Sequence, residues 1–235
     1  MTLIISGVAQ DGIVLSSDRC ESTEASNKFV NKIYSLKSGS LFSFAGDLGV
    51  AQKIMDGINS LDISDDPFLS QVETIENVTR SMNKRYRKNG DVSAHFFLTM
   101  VDDAGKPLVQ YFDDDGTSLR IDSYDTIGNG SLMAAYFLKT LYKPDMKCDE
   151  LAAVFSFVIT LISQSEINSS VKVSREFPPE FYIINNLNAR KPYLYQNEFL
   201  WEVNRDKIRV VNNCIVDLFN SEKTRLYVEQ MRRYW

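Results

Sequence analysis

Residues 2–19 decide the fold of the chain and read Thr-Leu-Ile-Ile-Ser-Gly-Val-Ala-Gln-Asp-Gly-Ile-Val-Leu-Ser-Ser-Asp-Arg. Residues 2–8 and 13–17 are dominated by aliphatic and β-branched side chains, which favour strands. Between them, Gln10-Asp11-Gly12 is a turn signal. The stretch therefore predicts two strands joined by a tight turn at the start of the chain.

Two more strands are predicted directly after this pair, at residues 32–36 and 41–45. The spacing of apolar residues then changes to three or four, which is typical of helices. The residues that keep this spacing in two successive stretches are Leu48, Ala51, Ile54, Met55 and Ile58, then Phe68, Val72, Ile75, Val78, Met82 and Tyr86. Two adjacent helices are therefore expected, with the second ending near residues 89–90.

Strands return in the middle of the chain, at residues 94–101, 108–112 and 117–122, separated by Asp- and Gly-containing turns. This pattern predicts an antiparallel meander. Helices are then predicted at about 131–141 and 149–165, a strand at 181–184 and a helix from residue 209 onward. The polar residues 163–174 are interpreted as a loop.

This order of elements predicts an α+β fold, a four-layer αββα sandwich of two antiparallel sheets covered by helices. The reason is that each apolar helix face needs a sheet to pack against. No linker or internal repeat interrupts the pattern. We therefore expect one domain over residues 1–235, with a C-terminal extension from about residue 186.

The composition of the chain is that of a folded, water-soluble protein, with 235 residues, 44% hydrophobic residues and a net charge of −5. Glycine and proline are too few for a disordered or fibrous chain. The mild acidity argues against nucleic acid as a partner, because binding to phosphates needs a basic face. The three cysteines, Cys20, Cys148 and Cys214, are widely spaced, so neither a disulfide framework nor a zinc site is predicted.

The longest apolar stretch, residues 151–162, is too short to cross a bilayer, so no membrane association is predicted. The start of the chain lacks the basic segment of a secretion signal, and a cytoplasmic location is expected. His95 is the only histidine. A Ser-His-Asp or Cys-His mechanism would have to use it, but its apolar neighbours favour an ordinary strand position.

Four short segments could carry chemistry: Thr2, Asp18-Arg19, residues 31–34 (Asn-Lys-Ile-Tyr) and residues 44–49 (Phe-Ala-Gly-Asp-Leu-Gly). Each has an ordinary structural explanation when taken alone. Threonine is common in strands, an aspartate or lysine can be a cap or a solvated charge, and glycines permit a tight strand-to-helix turn. Their order and spacing carry more information than any one of them.

In that order the sequence resembles the proteasome β-subunit family, including its bacterial relatives, within the N-terminal nucleophile hydrolases. The resemblance covers roughly the first 165 residues, and its specific motifs lie mostly within the first 52. The segments that carry it are Thr2 with the strand to Val8, Asp11-Gly12, residues 13–19, Lys32-Ile33-Tyr34, residues 44–52, and Gly128-Asn129-Gly130-Ser131.

The resemblance implies that the hydroxyl of Thr2 is a nucleophile. A threonine hydroxyl needs a neighbouring base, and a free α-amine, with an ordinary pKa of about 7.7–8.0, can supply one. Met1 must therefore be removed. By the same resemblance Lys32 would stabilise negative charge near the hydroxyl, and Asp18 would orient Lys32.

Two further catalytic roles follow from the resemblance. The backbone N–H of Gly46 would form the oxyanion hole. Asn129 stands where the family usually has a serine near the amine, and its amide group can also form hydrogen bonds there. The family's usual aspartate, followed closely by serine and glycine, is missing from residues 165–171. Either Ser169 or Glu166 would have to replace that aspartate.

The substrate implied by the resemblance is an extended peptide or unfolded protein that pairs with strand edges near Ser22 and Gly46. Phe44 would floor the specificity pocket and Leu48 would line it, although Phe44 could instead point into the core. Relatives form rings or helical arrays, so a homo-oligomer is expected and an ATPase partner remains open. No metal or organic cofactor is implied.

The function predicted from the sequence is therefore a threonine peptidase that works through an acyl-enzyme ester. Two alternatives stay open at this point. One is a catalytically inactive proteasome-like structural subunit, favoured by the missing aspartate. The other is an acyl transferase or peptide ligase on the same fold, in which an amine instead of water resolves the ester.

Overall fold

The start of the chain forms the predicted pair of strands, Leu3–Ala9 and Gly12–Ser17. They belong to a computed structural model that describes residues 2–22, 27–63, 66–87, 93–164, 171–173, 178–186 and 193–194. The helix predicted from residue 209, together with Glu166 and Ser169, lies outside these residues.

The strands of the described part are numbered in chain order: β1 Leu3–Ala9, β2 Gly12–Ser17, β3 Cys20–Ser22, β4 Asn27–Phe29, β5 Ile33–Ser35, β6 Leu41–Gly46, β7 Ala94–Val101, β8 Pro107–Phe112, β9 Ser118–Ile121, β10 Tyr124–Gly128, β11 Glu180–Asn185 and β12 Tyr193–Leu194. The helices are α1 Leu48–Asn59, α2 Phe68–Arg87, α3 Ser131–Leu141 and α4 Cys148–Gln164.

Two five-stranded antiparallel sheets form the centre of the protein. The first has the strand order β10-β1-β2-β11-β12 and the second has the order β5-β6-β7-β8-β9. Strands β3 and β4 form a separate two-stranded sheet. Strand β1 is the second strand of the first sheet, so the start of the chain lies between two hydrogen-bonded neighbours, β10 and β2.

Three apolar layers hold the sheets and helices together, because alternate residues of each strand face opposite sides of their sheet. One layer lies between the first sheet and α3 and α4, and is built around Leu3, Ile5, Val14, Phe155 and Ile159. A second lies between the other sheet and α1 and α2, and is built around Phe42, Ile54, Ile75, Phe96 and Phe112. The third lies between the two sheets and includes Ile4, Leu15, Leu41, Phe97 and Ile184. The predicted four-layer αββα sandwich is confirmed.

The meander prediction missed β10, which follows β9 after two residues. Tyr124–Gly128 leaves the second sheet and pairs with β1 in the first. Its sequence contains the polar residues Asp125 and Thr126, so it lacks the apolar pattern that marked the other strands. Strands β3, β4 and β12 were also not predicted, since they are only two or three residues long.

The predicted helices are confirmed within one or two residues where they are described, as for α4, which runs from Cys148 to Gln164. Of the predicted loop over residues 163–174, only 163–164 and 171–173 are described, and Gln164 still belongs to α4. Within the described ranges, no helix is both long enough and apolar enough to span a membrane.

Candidate active site

The residues that precede and open β1 are fixed by the end of β2. The backbone N–H of Leu3 donates to Asp18 Oδ1 over 2.7 Å, and the N–H of Asp18 donates to the Leu3 carbonyl over 3.0 Å. Asp18 is completely buried. This reciprocal pair of bonds places Thr2, which is half-buried and comes directly before Leu3, beside Asp18 at one end of the sandwich.

Lys32 is bound to the same carboxylate oxygen. Its Nζ lies 2.8 Å from Asp18 Oδ1, and the lysine side chain is only 6% exposed. Two donors on one buried oxygen must be close neighbours, so the ammonium group is held next to the first residues of the chain. The ion pair also compensates for burying two charges, which would otherwise be costly. The structure thus brings three of the predicted site residues, Thr2, Asp18 and Lys32, to one place.

Gly46 ends β6 at the same end of the second sheet, in a conformation that needs glycine. Its φ is +116°, and a Cβ atom at this position would collide with the Ser93 carbonyl. The turn from strand to helix is therefore possible only because residue 46 has no side chain.

The direction of the Gly46 N–H follows from its neighbours. The N–H of Asp47 donates to the Ser93 carbonyl, and the N–H and carbonyl of Ala94, opposite Gly46, are both bound by the side chain of Asn83. In an antiparallel pair, successive residues point their N–H groups to alternate sides. The N–H of Gly46 therefore points away from β7. This N–H group is therefore not used in the pairing of β6 with β7.

Helix α1 begins just after this glycine and directs its N-terminus toward the same end of the sandwich. Asp47 caps the helix by accepting a hydrogen bond from the Val50 N–H over 2.9 Å. The positive end of the helix dipole adds to the favourable field for negative charge near Gly46. Leu48, the first residue of the helix, is 40% exposed and lies on the surface beside Gly46.

Phe44 packs toward the helical layer of the second sheet. Its ring stacks on Tyr34 with centroids 6.1 Å apart and also contacts Phe42 and the core beneath α1 and α2. The half-buried ring therefore supports the sheet from the helical side. Ser22 ends β3, opposite Asn27 of β4, and its side chain lies outside what the structure describes.

The turn between β10 and α3 contacts the start of the chain through its backbone. Gly128 has φ of +96°, and a Cβ atom there would collide with the Thr2 carbonyl. Gly130 packs against Leu3 and Val171. Asn129, between the two glycines, has an exposed side chain. The predicted residue thus lies in a turn that touches Thr2, although its own side chain faces the surface.

One buried carboxylate near this site was not singled out from the sequence. Glu180 is the first residue of β11, and its Oε2 accepts the backbone N–H of Lys32 at 3.3 Å and lies 3.5 Å from Ser17 Oγ. Burial raises the pKa of its carboxyl group. The sequence feature that could have indicated this residue is an acidic side chain at the start of an otherwise apolar strand, directly after Pro178-Pro179.

His95 lies on β7, directly after Ala94, and its ring is tilted by 55° to that of Tyr111, with centroids 6.3 Å apart. Its burial lowers the pKa of the imidazole below 6.5. The histidine is therefore neutral around pH 7. Among the described residues, no group of His, Cys, Asp or Glu side chains is arranged to hold a metal ion.

The fold resembles those of several solved proteins called Anbu, at low sequence identity. The protein from Pseudomonas aeruginosa, solved as a helical assembly, has 14% identity and a TM-score of 0.74, covering 92% of this chain and 96% of its own. A Gly-1 mutant from Hyphomicrobium sp. strain MC1 has 13% identity and a TM-score of 0.73, covering 92% and 97%. The protein from Yersinia bercovieri, described as an ancestral β-subunit, has 13% identity and a TM-score of 0.72, covering 92% and 96%.

Among curated proteins, no sequence matches this chain significantly. The family model described as proteasome subunit, in contrast, matches residues 2–174, well over half of the sequence. This match includes all the residues at the end of the sandwich described above except Glu180. The chain belongs to the proteasome subunit family.

Proposed function

We propose that this protein is a cytoplasmic N-terminal threonine hydrolase that cleaves peptide amide bonds through an acyl-enzyme ester, after Met1 has been removed. The observation that carries the proposal is the single Asp18 oxygen that binds both the Leu3 N–H and the Lys32 ammonium group. This contact fixes a buried positive charge beside Thr2 without any histidine.

The reaction begins with the Thr2 hydroxyl and its own α-amine. The amine accepts the hydroxyl proton, directly or through water, while the oxygen attacks the carbonyl carbon of the peptide bond. The negative charge that develops on the carbonyl oxygen is stabilised by the Gly46 N–H and by the charge of Lys32. The tetrahedral intermediate then expels the amine product, which takes up the proton, and leaves an ester on Thr2.

Water resolves the ester in the second half of the reaction. The α-amine, neutral again, accepts a proton from the water as it attacks the ester carbonyl, and the same N–H and ammonium groups stabilise the second oxyanion. The acid product leaves and the Thr2 hydroxyl is restored. In both halves of the proposed reaction the α-amine of Thr2 transfers the protons. The oxyanions are stabilised by Lys32, which is bound to Asp18, and by the Gly46 N–H at the end of β6.

The substrate we propose is an extended peptide beside the end of β6. The N–H direction of Gly46 supports binding of a peptide carbonyl there, as in the addition of a strand to a sheet edge. Leu48, exposed next to this glycine, offers an apolar surface to a substrate side chain. Ser22 and Phe44 remain our predictions for further substrate contacts, with Phe44 supporting the pocket from beneath.

We also propose that the protein works as a homo-oligomer, in a ring or helical array that shelters the site. The helical assembly of the Anbu protein from Pseudomonas aeruginosa supports this proposal. Light scattering and electron microscopy of the purified protein should find an assembly of many copies, and a monomer at micromolar concentration would contradict it. Short peptides should be cleaved without an ATPase, because they need no unfolding.

The catalytic proposal is tested with an electrophilic peptide probe that traps a nucleophilic hydroxyl, followed by intact-mass measurement. The wild type should gain one probe mass per chain, and Thr2→Ala should gain none. A wild type that stays unlabelled by probes of several sequences would favour the inactive structural subunit instead. Adding a free amine to the acyl donor tests for acyl transfer, and hydrolysed product should exceed coupled product.

A further inference from the structure

Glu180 joins the two sheets at the end where Thr2 lies. It belongs to β11 of the first sheet, yet its carboxylate accepts a hydrogen bond over 3.3 Å from the backbone N–H of Lys32, directly before β5 of the second sheet. Glu180 is 7% exposed. A buried carboxylate that binds a backbone N–H group restricts the position of that part of the chain.

Lys32 is therefore held by two different carboxylates. Asp18 binds its ammonium group, and Glu180 binds its backbone. The two acids lie on different elements, since Asp18 follows β2 and Glu180 opens β11, which pairs with β2. With both ends of the lysine bound, its long side chain loses much of the freedom that would let it leave the site.

We infer that Glu180 is a positioning residue of the active site: it fixes the Lys32 backbone so that the ammonium group stays at Asp18 and beside Thr2. This inference rests on the proposed function for its catalytic consequence. The structural part, the hydrogen bond from the Lys32 N–H to Glu180, stands independently and is measured separately below.

The strength of the hydrogen bond between the Lys32 N–H and Glu180 depends on whether the carboxyl group is ionised. The groups that act on it are Arg19 after β2, Tyr182 on its own strand, the Ser17 hydroxyl and the Lys32 N–H, which belongs to the residue whose side chain pairs with Asp18. Burial dominates and raises the pKa of the carboxyl group above 4.5. Protonation adds an O–H donor and weakens the carboxyl group as an acceptor, so acid should weaken its hydrogen bond with the Lys32 N–H.

The first experiment measures this release without any activity. Amide-resolved hydrogen exchange of the wild-type protein, expressed as protection factors, should show the protection of the Lys32 amide falling as the pH drops through the pKa of Glu180. Glu180→Gln should show at least tenfold lower protection of this amide at pH 7.5 and no further change with pH. Equal protection in both proteins across the whole range would overturn the inference.

The second experiment follows acylation by the electrophilic peptide probe as a function of pH. An α-amine base alone makes the logarithm of the rate rise with a slope of one below the pKa of the amine. We expect Glu180→Gln to be roughly tenfold slower on its plateau, because Lys32 is less well placed. Since glutamine resembles the protonated acid, the wild-type rate should lose a similar additional factor as the pH falls through the pKa of Glu180. Its slope should therefore exceed one over that interval, while the slope for Glu180→Gln stays at one.

Asp125→Asn is the matched control. Asp125 is also a partly buried acid whose pKa is raised by burial, but its hydrogen bond goes to the Thr126 N–H on its own strand β10. The Asp125 variant should keep the wild-type dependence of the rate on pH and the wild-type protection of the Lys32 amide. If this control loses the additional fall in rate at low pH, that fall comes from general charge effects, which would contradict a specific role for Glu180.

Thermal stability separates positioning from simple structural support. An acid whose pKa is raised in the folded state contributes stability below its ordinary pKa, and that contribution is lost as the pH rises through the raised value. Wherever Glu180 is ionised it therefore costs stability relative to its protonated form, and Glu180→Gln should melt at the same or a higher temperature at neutral pH while reacting more slowly. A variant that is both slower and markedly less stable would contradict the inference.

The proposed hydrolase activity and the positioning role of Glu180 can be disproved separately. If the wild type does not react with any probe but the exchange results hold, the proposed hydrolase is wrong and the tie between Glu180 and Lys32 stands. If acylation is normal and its slope does not depend on Glu180, the positioning role is wrong and the hydrolase stands.

Discussion

Two corners of the molecule touch the start of the chain, and they do so in different ways. At the corner of Asp18 and Lys32 the contacts are made by buried, charged side chains. At the corner of Gly128, Asn129 and Gly130 they are made by backbone atoms that come close because two residues have no side chain, and Asn129 is exposed. Thr2 therefore has a fixed buried charge on one side and a closely packed backbone on the other. Mutations in the two corners should change the acylation rate and the stability by very different amounts.

Lys32→Met tests the charged corner and should have the largest effect after removal of the nucleophile itself. Without the ammonium group, acylation by the peptide probe should slow by about a thousandfold, because the developing negative charge loses a fixed positive partner. The variant also leaves Asp18 as an uncompensated buried carboxylate, so the free energy of unfolding should fall by about 3–5 kcal/mol. Stopped acylation assays and chemical denaturation measure the two losses.

The double variant Asp18→Asn/Lys32→Met separates these effects. Removing both charges should restore most of the lost stability, since a neutral amide can still accept the Leu3 N–H, while acylation stays slow. Recovery of the acylation rate together with the stability would mean that Lys32 is only structural.

Gly46→Ala tests the end of β6 and should slow acylation by about 10²- to 10³-fold. A side chain at this positive φ collides with Ser93 and turns the N–H away from the developing oxyanion. Gly105→Ala is the control, since Gly105 also has a positive φ but open space around its Cβ position. Only the general strain of about 1 kcal/mol is shared by the two variants, so an equal loss of rate in both would contradict the oxyanion role.

Asn129→Ala tests the shape-based corner and should slow acylation by less than about tenfold. The exposed side chain can contribute no more than a solvated hydrogen bond near the amine, worth roughly 1 kcal/mol. Gly128→Ala, in the same turn, should be far more damaging because its Cβ collides with the Thr2 carbonyl. If Asn129→Ala lost more of the acylation rate than Gly128→Ala, the amide group of Asn129 would matter more than the backbone packing of this turn.

His95→Gln should have no measurable effect on acylation, which is the smallest of the expected changes. The imidazole pKa is lowered by burial, so the ring is neutral throughout the range in which an α-amine titrates. The rate should therefore rise through neutral pH in the same way with and without the histidine. A variant that loses this rise would identify His95 as the base.

Much of this arrangement could be predicted from the sequence, and the rest could not for physical reasons. Strand periodicity and turn glycines can be recognised from a few neighbouring residues. This is why the sequence predicted the strand pair of residues 2–19 and the residues Asp18, Lys32 and Gly46. The role of Glu180 depends on β11 pairing with β2, more than 160 residues earlier in the chain. Strand β10 was missed because its polar sequence carries no periodic signal, and its partner β1 supplies the pairing that makes it a strand.

The predicted pocket role of Phe44 shows the limit of local reasoning about a strand. The side-chain direction depends on the strand register, and a shift of one residue exchanges the two faces of the sheet. The structure places the ring beside Tyr34 and Phe42 on the helical side. Whether a substrate side chain reaches it is a prediction that a Phe44→Ala specificity profile can test.

The central claim is that the protein works through a free N-terminal threonine beside Lys32. Intact mass and peptide mapping of the active protein, before and after reaction with the electrophilic probe, test it most directly. We expect a chain that lacks Met1 and carries the probe on Thr2. An active chain that keeps Met1 or has a blocked amine, or a probe attached to any other residue, would contradict it.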